Sequence, residues 1–243
     1  MGYEKVVRVM SGGTVHITDS SARAAALIAQ GEAVLAYLHA GNRREDFGCC
    51  RYACEDPEEL DEAYLDKVYL RQKGLPVTVL QTARCLVRET TVADVADFYE
   101  IYADPSVTRY MEPLYDDPDA ERAYAAEYIE NVYAYYDFGI WTVVERASGQ
   151  VIGRAGICYR EGFADPELGF LIGVPWQGQG LATEVCEAIL EYAREELGFA
   201  TVLAFMQPEN AVSQRVCEKL GMRGDRTEVV QGVTYEIYIW QAQ

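Results

Sequence analysis

The sequence predicts an α/β protein: a mixed sheet with helices on both faces, preceded by a smaller α/β layer. Three observations carry that expectation. Strand-like and helical runs alternate along the 243 residues, with serine or proline at helix starts and glycine at helix stops. Two strand pairs in the larger region are joined by turn-forming residues around Gly149 and Gly232, as antiparallel hairpins are. Half of the residues are apolar and a quarter charged, the balance of a globular chain.

Taken in order, TVHIT reads as a strand and SSARAAALIAQG as a helix that stops at Gly31. AVLAYLH and RYACE follow as strands, then DPEELDEAYLDKVYLRQKG as a helix that stops at Gly74. GLPVTVLQTARCLVRE crosses into the next region, so the boundary is placed at residues 80–84, giving a domain of residues 1–83 and another of 84–243. Beyond it come strand ARCLVRET, helix TVADVADFYEIYAD and a longer tyrosine-rich helix, DPDAERAYAAEYIENVYAYYDF. In that helix Tyr124, Tyr128, Tyr135 and Tyr136 recur at near-helical spacing, the pattern of a core-facing stripe. The hairpin IWTVVER–VIGRAGICYR, strand ELGFLIGV, a glycine-containing join, and helix LATEVCEAILEYAREEL come next. Strand ATVLAFM, helix NAVSQRVCEKLG and the terminal hairpin TEVVQGVTYEIYIW complete the order. Arg154, inside an apolar strand, is expected to have a carboxylate partner.

Charge and cysteine content restrict the functional classes. The net charge is −18, and residues 84–243 carry −15 of it, from 12 basic and 27 acidic side chains. Such a surface repels nucleic acid and anionic membrane and attracts cationic partners. No apolar run is long enough to span a bilayer, and no secretory signal is evident, so a cytoplasmic location is expected. The seven cysteines fit reduced thiols. Cys49, Cys50, Cys54 and His39 hint at a metal site but lack paired C-x2-C knuckles, and no metal is expected.

The join VPWQGQGLATE raises a specific question. Two glycines, Gly178 and Gly180, stand directly before a helical run, although glycine costs a helix about 1 kcal/mol relative to alanine. A helix start presents main-chain N–H groups without partners and a partial positive charge. Glycines there let an anion approach the backbone, which makes residues 177–182 a possible pyrophosphate cradle. The pattern is neither a P-loop nor G-x-G-x-x-G. A tight strand-to-helix connection with no ligand is the other reading.

Here the residues resemble a known family. Gln177-x-x-Gly180-x-Ala182 is similar to the Q/R-x-x-G-x-G/A signature of GNAT-type N-acetyltransferases. RYMEPL, IGRAGI, ELGFLIG, WQGQGLATE and the run from Asn210 to Met222 follow the order of the branch containing ribosomal-protein N-terminal acetyltransferases. The resemblance implies a GNAT-like fold and an acetyl-CoA/coenzyme A cofactor. It places the pyrophosphate on Gln177, Gly178, Gln179, Gly180, Leu181, Ala182 and Thr183. It places the pantetheine arm on the backbone of Phe170, Leu171 and Ile172, with Asn210 beside it, in a family that splays two central strands apart.

The implied chemistry is direct attack of an amine on the thioester, the acceptor being a small-molecule amine or a peptide N-terminus. The chain has only His16 and His39, both before residue 84, so any base in the larger region is a carboxylate. Glu167 is the first choice and Glu112 the second, each with a surface role as its alternative. Many relatives carry a tyrosine seven residues after the asparagine as the acid; here it is Cys217. Ser213 matches the other branch's serine and is expected to hydrogen-bond the sulfur, unless it caps its helix. A catalytically weak acyl-CoA-binding sensor module is the rival reading. Nucleotide binding near Asp19 is a third, and a homodimer is an expectation without a residue assigned to it.

Overall fold

The computed structural model describes residues 2–242. The chain divides into two compact units, Met1–Val77 and Thr78–Gln243.

The first unit is a four-stranded sheet. β1 (Glu4–Arg8), β2 (Thr14–Thr18), β3 (Ala33–Tyr37) and β4 (Ala53–Cys54) lie in that order, with β1 and β2 antiparallel and the rest parallel. Helix α1 (Ser21–Ala29) is capped by Ser20, whose side chain accepts from Arg23 N–H, and α2 (Glu62–Gln72) by Asp61, which accepts from Tyr64 N–H. These caps satisfy donors that a helix start leaves unpaired. Val15, Ile17, Ala24, Leu27, Val34 and Leu35 are buried between the layers. The strand β1 was not foreseen, because EKVVR lies at a half-exposed sheet edge and has no alternation of apolar with polar residues. His39 accepts Gly41 N–H on Nδ1, which leaves Nε2 to donate to Asp19 Oδ2 at 3.3 Å. Among the described residues no group of three or more His, Cys, Asp or Glu is arranged to hold a metal.

The second unit is built on an eight-stranded sheet in the order β11-β12-β10-β9-β8-β7-β6-β5. Its strands are β5 (Thr78–Gln81), β6 (Cys85–Arg88), β7 (Ile140–Glu145), β8 (Val151–Cys158), β9 (Glu167–Ile172), β10 (Thr201–Met206), β11 (Arg223–Val230) and β12 (Val233–Gln241). β5 pairs with β6, so this unit begins at Thr78. Both expected hairpins form: Gly149 turns at φ 72°, and Gln231 and Gly232 at 50° and 83°. Helices α3 (Val95–Tyr102), α4 (Pro105–Thr108), α5 (Pro118–Tyr128) and α6 (Ala134–Tyr136) occur between β6 and β7. α7 (Leu181–Glu195) follows β9 and α8 (Ala211–Lys219) follows β10. α7 contributes Leu181, Val185, Cys186, Ile189, Leu190 and Ala193 to a core that includes Trp141, Ile152, Ile157 and Leu168.

Tyr133 is fully buried, but Tyr124, Tyr135 and Tyr136 are exposed, against the expected stripe. For Tyr135 and Tyr136 the cause is a π-helical turn over Ile129–Tyr133, which precedes them and follows Tyr124. A turn of that kind adds a residue to the helical repeat, so the face after it no longer continues the face before it. Tyr128 and Tyr133 then clamp the start of β7: Tyr128 Oη accepts from Ile140 N–H at 2.8 Å, and Tyr133 O–H donates to Ile140 C=O at 2.6 Å. Burial pushes the Tyr133 phenol up to about 12.

A polar knot lies beside this clamp. Arg88 donates to both oxygens of the buried Asp94 at 2.7 Å, and Asp94 also accepts from Thr91 N–H at 2.8 Å and Thr142 Oγ1 at 3.0 Å. Burial works against the Asp94 charge, but the Arg88 and Thr91 donors outweigh it and hold the carboxyl below its ordinary range.

Candidate active site

Sheet register creates the central opening. β9 and β10 are parallel neighbours that meet at only one register position, Glu167 opposite Leu203, supported by Leu203 N–H to Pro166 C=O at 2.8 Å. Gly173 N–H donates to Ile152 C=O on β8. Alternation along the strand therefore turns the main chain of 169 and 171 toward β8 and that of Leu168, Phe170 and Ile172 toward the splayed edge. Leu171, named from the sequence, does not meet the opening through its backbone; Leu168, which was missed, does. The signal that distinguishes them is register, which one strand's sequence does not contain.

At the far end of β9 the chain passes through Val174–Trp176 into the glycine join. Gly178 and Gly180 have φ of 72° and 79°, the left-handed region where a Cβ is strained. Gly180 is the N-cap of α7, and its carbonyl takes the first helical bond, from Glu184 N–H at 3.0 Å. Among the described residues, no acceptor meets the N–H groups of Gly178, Gln179, Gly180, Leu181, Ala182 and Thr183. The join is exposed, apart from the Leu181 side chain, which is anchored in the core. The glutamine side chains brace it from within: Gln177 Nε2 donates to Ile172 C=O at 2.7 Å, and Gln179 Nε2 to Pro175 C=O at 3.0 Å.

A second brace was not visible in the sequence. Arg84 Nη1 donates to Gln179 C=O at 2.9 Å, while Arg84 Nε and N–H meet the two oxygens of Glu184 at 2.6 and 2.9 Å. Burial disfavours the Glu184 charge, but donors from Thr82 and Arg84 outweigh it and keep the carboxyl below its ordinary range. The clamp joins residues 100 apart in sequence, which no local pattern reveals.

The splayed edge opens into a cavity of about 1020 Å³. Phe170, Leu171, Asn210, Ser213, Glu112 and Glu167 all line it. Asn210 is the N-cap of α8, its Oδ1 accepting from Ser213 N–H at 3.2 Å. Asn210 thus supplies the cap that Ser213 was a candidate for, and Ser213 takes part only through its main-chain N–H. Glu112 sits on the exposed loop before α5.

Glu167 is differently placed from what a base requires. Arg160 Nε and Nη2 hold its two oxygens at 2.7 and 3.0 Å, and the guanidinium lies over the rings of Phe205 and Tyr235 at 4.6 and 5.2 Å. A bidentate guanidinium competes directly with a proton for those oxygens. Arg160 and the buried Glu121, whose Oε2 accepts from Tyr115 N–H at 3.1 Å, are cavity residues that sequence reading missed. Arg154 also lines the cavity, yet its expected carboxylate partner is absent among the described residues.

The cavity holds no activated thiol. Burial pushes the lining Cys158 to about 12, with Glu167 adding to the effect. Cys217, seven residues after Asn210, is fully buried, pushed up to about 12 by burial, and 3.6 Å from Met206 Sδ.

Comparison with known proteins identifies the arrangement. The model of the acetyltransferase (GNAT) domain matches residues 84–223. This chain belongs to the GNAT acetyltransferase family. It is 30% identical over 145 residues to the uncharacterized N-acetyltransferase YnaD of Bacillus subtilis, covering 59% of this chain and 82% of that protein. Its fold is shared by the ribosomal-protein-S5-alanine acetyltransferase of Vibrio fischeri, at TM-score 0.57 and 14% identity over 68% of this chain and 96% of that one. Mycobacterium smegmatis RimJ, solved with CoA-disulfide, matches at TM-score 0.54 and 17% identity over 65% of this chain and 82% of that one. The acyl donor of a GNAT acetyltransferase is acetyl-CoA. No helix among the described residues is long and apolar enough to cross a membrane.

Proposed function

We propose that the chain transfers an acetyl group from acetyl-CoA to a primary amine by direct attack on the thioester. One observation carries this reading: successive unpaired amides at the start of α7 adjoin a strand whose free edge opens into a large cavity. The amides of Gly178–Thr183 and the dipole of α7 hold a diphosphate. On that edge the Leu168 C=O, both main-chain groups of Phe170 and the Ile172 N–H pair with the amides of the pantetheine arm as an added strand would. Asn210 keeps Oδ1 on its own helix and has Nδ2 left to donate to that arm. Ser213 Oγ donates to the sulfur as negative charge gathers there.

The amine must lose a proton, and a carboxylate without a cationic partner is suited to take it. Glu112 meets that condition in the cavity and is open to solvent, so it is assigned as the base in place of Glu167. The thiols of the half-buried Cys158 and the buried Cys217 stay protonated near neutral pH, which supports direct transfer without an acyl-enzyme. The acceptor is a small-molecule amine or a peptide N-terminus. The activity is assigned to the second unit, and the first is proposed as a separate small α/β domain.

The test combines coenzyme A titration calorimetry with a thiol-release assay on amines, amino acids and peptides. Binding accompanied by acceptor-dependent release supports the enzyme. Tight binding without release for any acceptor leaves the weak acyl-CoA-binding module, a reading favoured by the buried Cys217 at the acid position.

A further inference from the structure

The cavity is lined by two arginines with opposite circumstances. Arg160 is neutralised by Glu167 through two hydrogen bonds. Arg154 has neither ion pair nor hydrogen bond among the described residues, and its Nε is buried without a partner. Register sets them at opposite ends of the opening: Arg154 faces Leu171 across β8 and β9, whereas Glu167 faces Cys158. Four residues of strand separate these positions, about 13 Å. The Arg154 guanidinium rests over the buried Phe98 ring at 4.7 Å. A ring face steadies a cation, but it accepts no N–H bonds in the guanidinium plane.

The other charged groups of the cavity have the opposite sign. Glu112, Asp116 and Glu121 line it, and among the described residues none of them forms an ion pair. The wall therefore presents acidic groups and one unsatisfied guanidinium. A purely cationic acceptor would meet repulsion at Arg154 and leave its donors unpaired. An acceptor with an ammonium at one end and a carboxylate at the other satisfies both.

We propose that Arg154 binds a carboxylate of the acceptor, so that the amine acetylated here belongs to an amino acid. The fork of the guanidinium matches a carboxylate in two parallel hydrogen bonds. Phe98 fixes its plane, and the acidic residues collect the ammonium before Glu112 takes its proton. Arg154 is a specificity residue in this scheme and takes no part in bond making. The inference rests on the reading of this cavity as the acceptor site of an acetyltransferase.

The test uses the full chain with acetyl-CoA and a thiol-release assay. Amino acids are paired with their decarboxylated amines: tyrosine with tyramine, phenylalanine with phenethylamine. Glycine, β-alanine and γ-aminobutyrate vary the spacing between amine and carboxylate. The wild-type chain is expected to favour the amino acid of a pair by about 100-fold in kcat/KM, the scale of a lost charge-assisted pair. Arg154→Gln should erase that preference, chiefly through KM, with coenzyme A affinity by calorimetry unchanged. Arg154→Lys should restore part of it. Equal rates on amines and amino acids, a preference that survives Arg154→Gln, or turnover confined to peptide N-termini and indifferent to Arg154 would each overturn the proposal while leaving the enzyme reading intact. Loss of coenzyme A binding in the wild-type chain would remove that reading itself.

Discussion

The glycine join proposed to hold the cofactor and the cavity proposed to take the acceptor share strand β9, yet they are built by different rules. The join uses consecutive main-chain groups, Gly178 to Thr183, whose exposure follows from two left-handed glycines and the start of one helix. The cavity uses side chains from dispersed positions, among them Glu112, Glu121, Arg154, Glu167 and Ser213. A main-chain site is local, so its chemistry does not depend on which side chains surround it. A side-chain site is assembled by the fold, so its chemistry changes whenever one partner is claimed by another, as Arg160 claims Glu167. The difference teaches which half of the reaction a family shares: a common donor can be held by backbone, while the acceptor must be chosen by side chains.

The largest effect should come from breaking the main-chain half. Gly180→Asp places a carboxylate at the helix start where the diphosphate is expected, on a backbone with φ 79°. Losing two charge-assisted bonds and adding repulsion is expected to weaken coenzyme A about 1000-fold. Calorimetry reads this directly, with thermal melts to confirm folding. Unchanged affinity would mean that the amides are not the cradle, and the contrast drawn above would lose its first term.

The next effect concerns the framework on the acceptor side. Asp94→Ala leaves Arg88 half-buried with its principal partner gone, and removing one member of a buried pair costs about 3 kcal/mol or more. The folded carboxyl is held below 3.8, its ordinary value. A depressed carboxyl contributes stability in full above the unfolded value, and that contribution fades as pH falls through the folded one. The gap between wild type and Asp94→Ala in urea melts should therefore be full at pH 7 and pH 5 and narrow below about pH 4. A gap of constant size at every pH would show that packing, not charge, is what Asp94 supplies.

Legibility in the sequence follows the same division. Helix starts and stops, both hairpins and the glycine join were readable because each depends on a few adjacent residues. What failed depended on register or on distant partners. Leu171 lines the cavity, but its main chain faces β8, because the free edge belongs to alternate residues, a parity fixed by pairing with β8. The tyrosine stripe failed because the π turn at Ile129–Tyr133 shifts the helical face, and nothing in IENVY announces that turn. Arg154 was recognised as an unusual strand residue, but its lack of a carboxylate is a property of everything packed around it. Glu184 drew no notice because its partner Arg84 lies 100 residues away.

Two substitutions then separate roles within the acceptor side. Glu112→Gln should lower kcat about 100-fold at neutral pH, within the range for a lost proton acceptor. That loss should shrink as pH rises toward the acceptor amine's own pKa, because an amine that is already neutral need not be deprotonated before it attacks. Glu167→Gln should disturb acceptor KM through the freed Arg160 more than it disturbs kcat. The reverse ranking would return the base to Glu167 and make the Arg160 pair a feature of the acceptor-free chain.

Ser213→Ala should have the smallest effect and the sharpest meaning. The helix cap comes from Asn210, and the bond received at position 213 is made by its main-chain N–H. Alanine keeps that N–H, so α8 and coenzyme A affinity should be unchanged. What disappears is one hydroxyl donor to a sulfur that carries charge only as the bond to the acetyl group breaks. An interaction made mainly at that stage lowers kcat and kcat/KM equally, and about 10-fold is expected for one hydrogen bond. An unaltered kcat would show that the departing thiolate needs no hydroxyl donor; since Cys217 is buried and hydrogen-bonded to Met206 Sδ, the sulfur would then take its proton from the nitrogen of the attacking amine or from solvent entering the cavity, with no side chain acting on it.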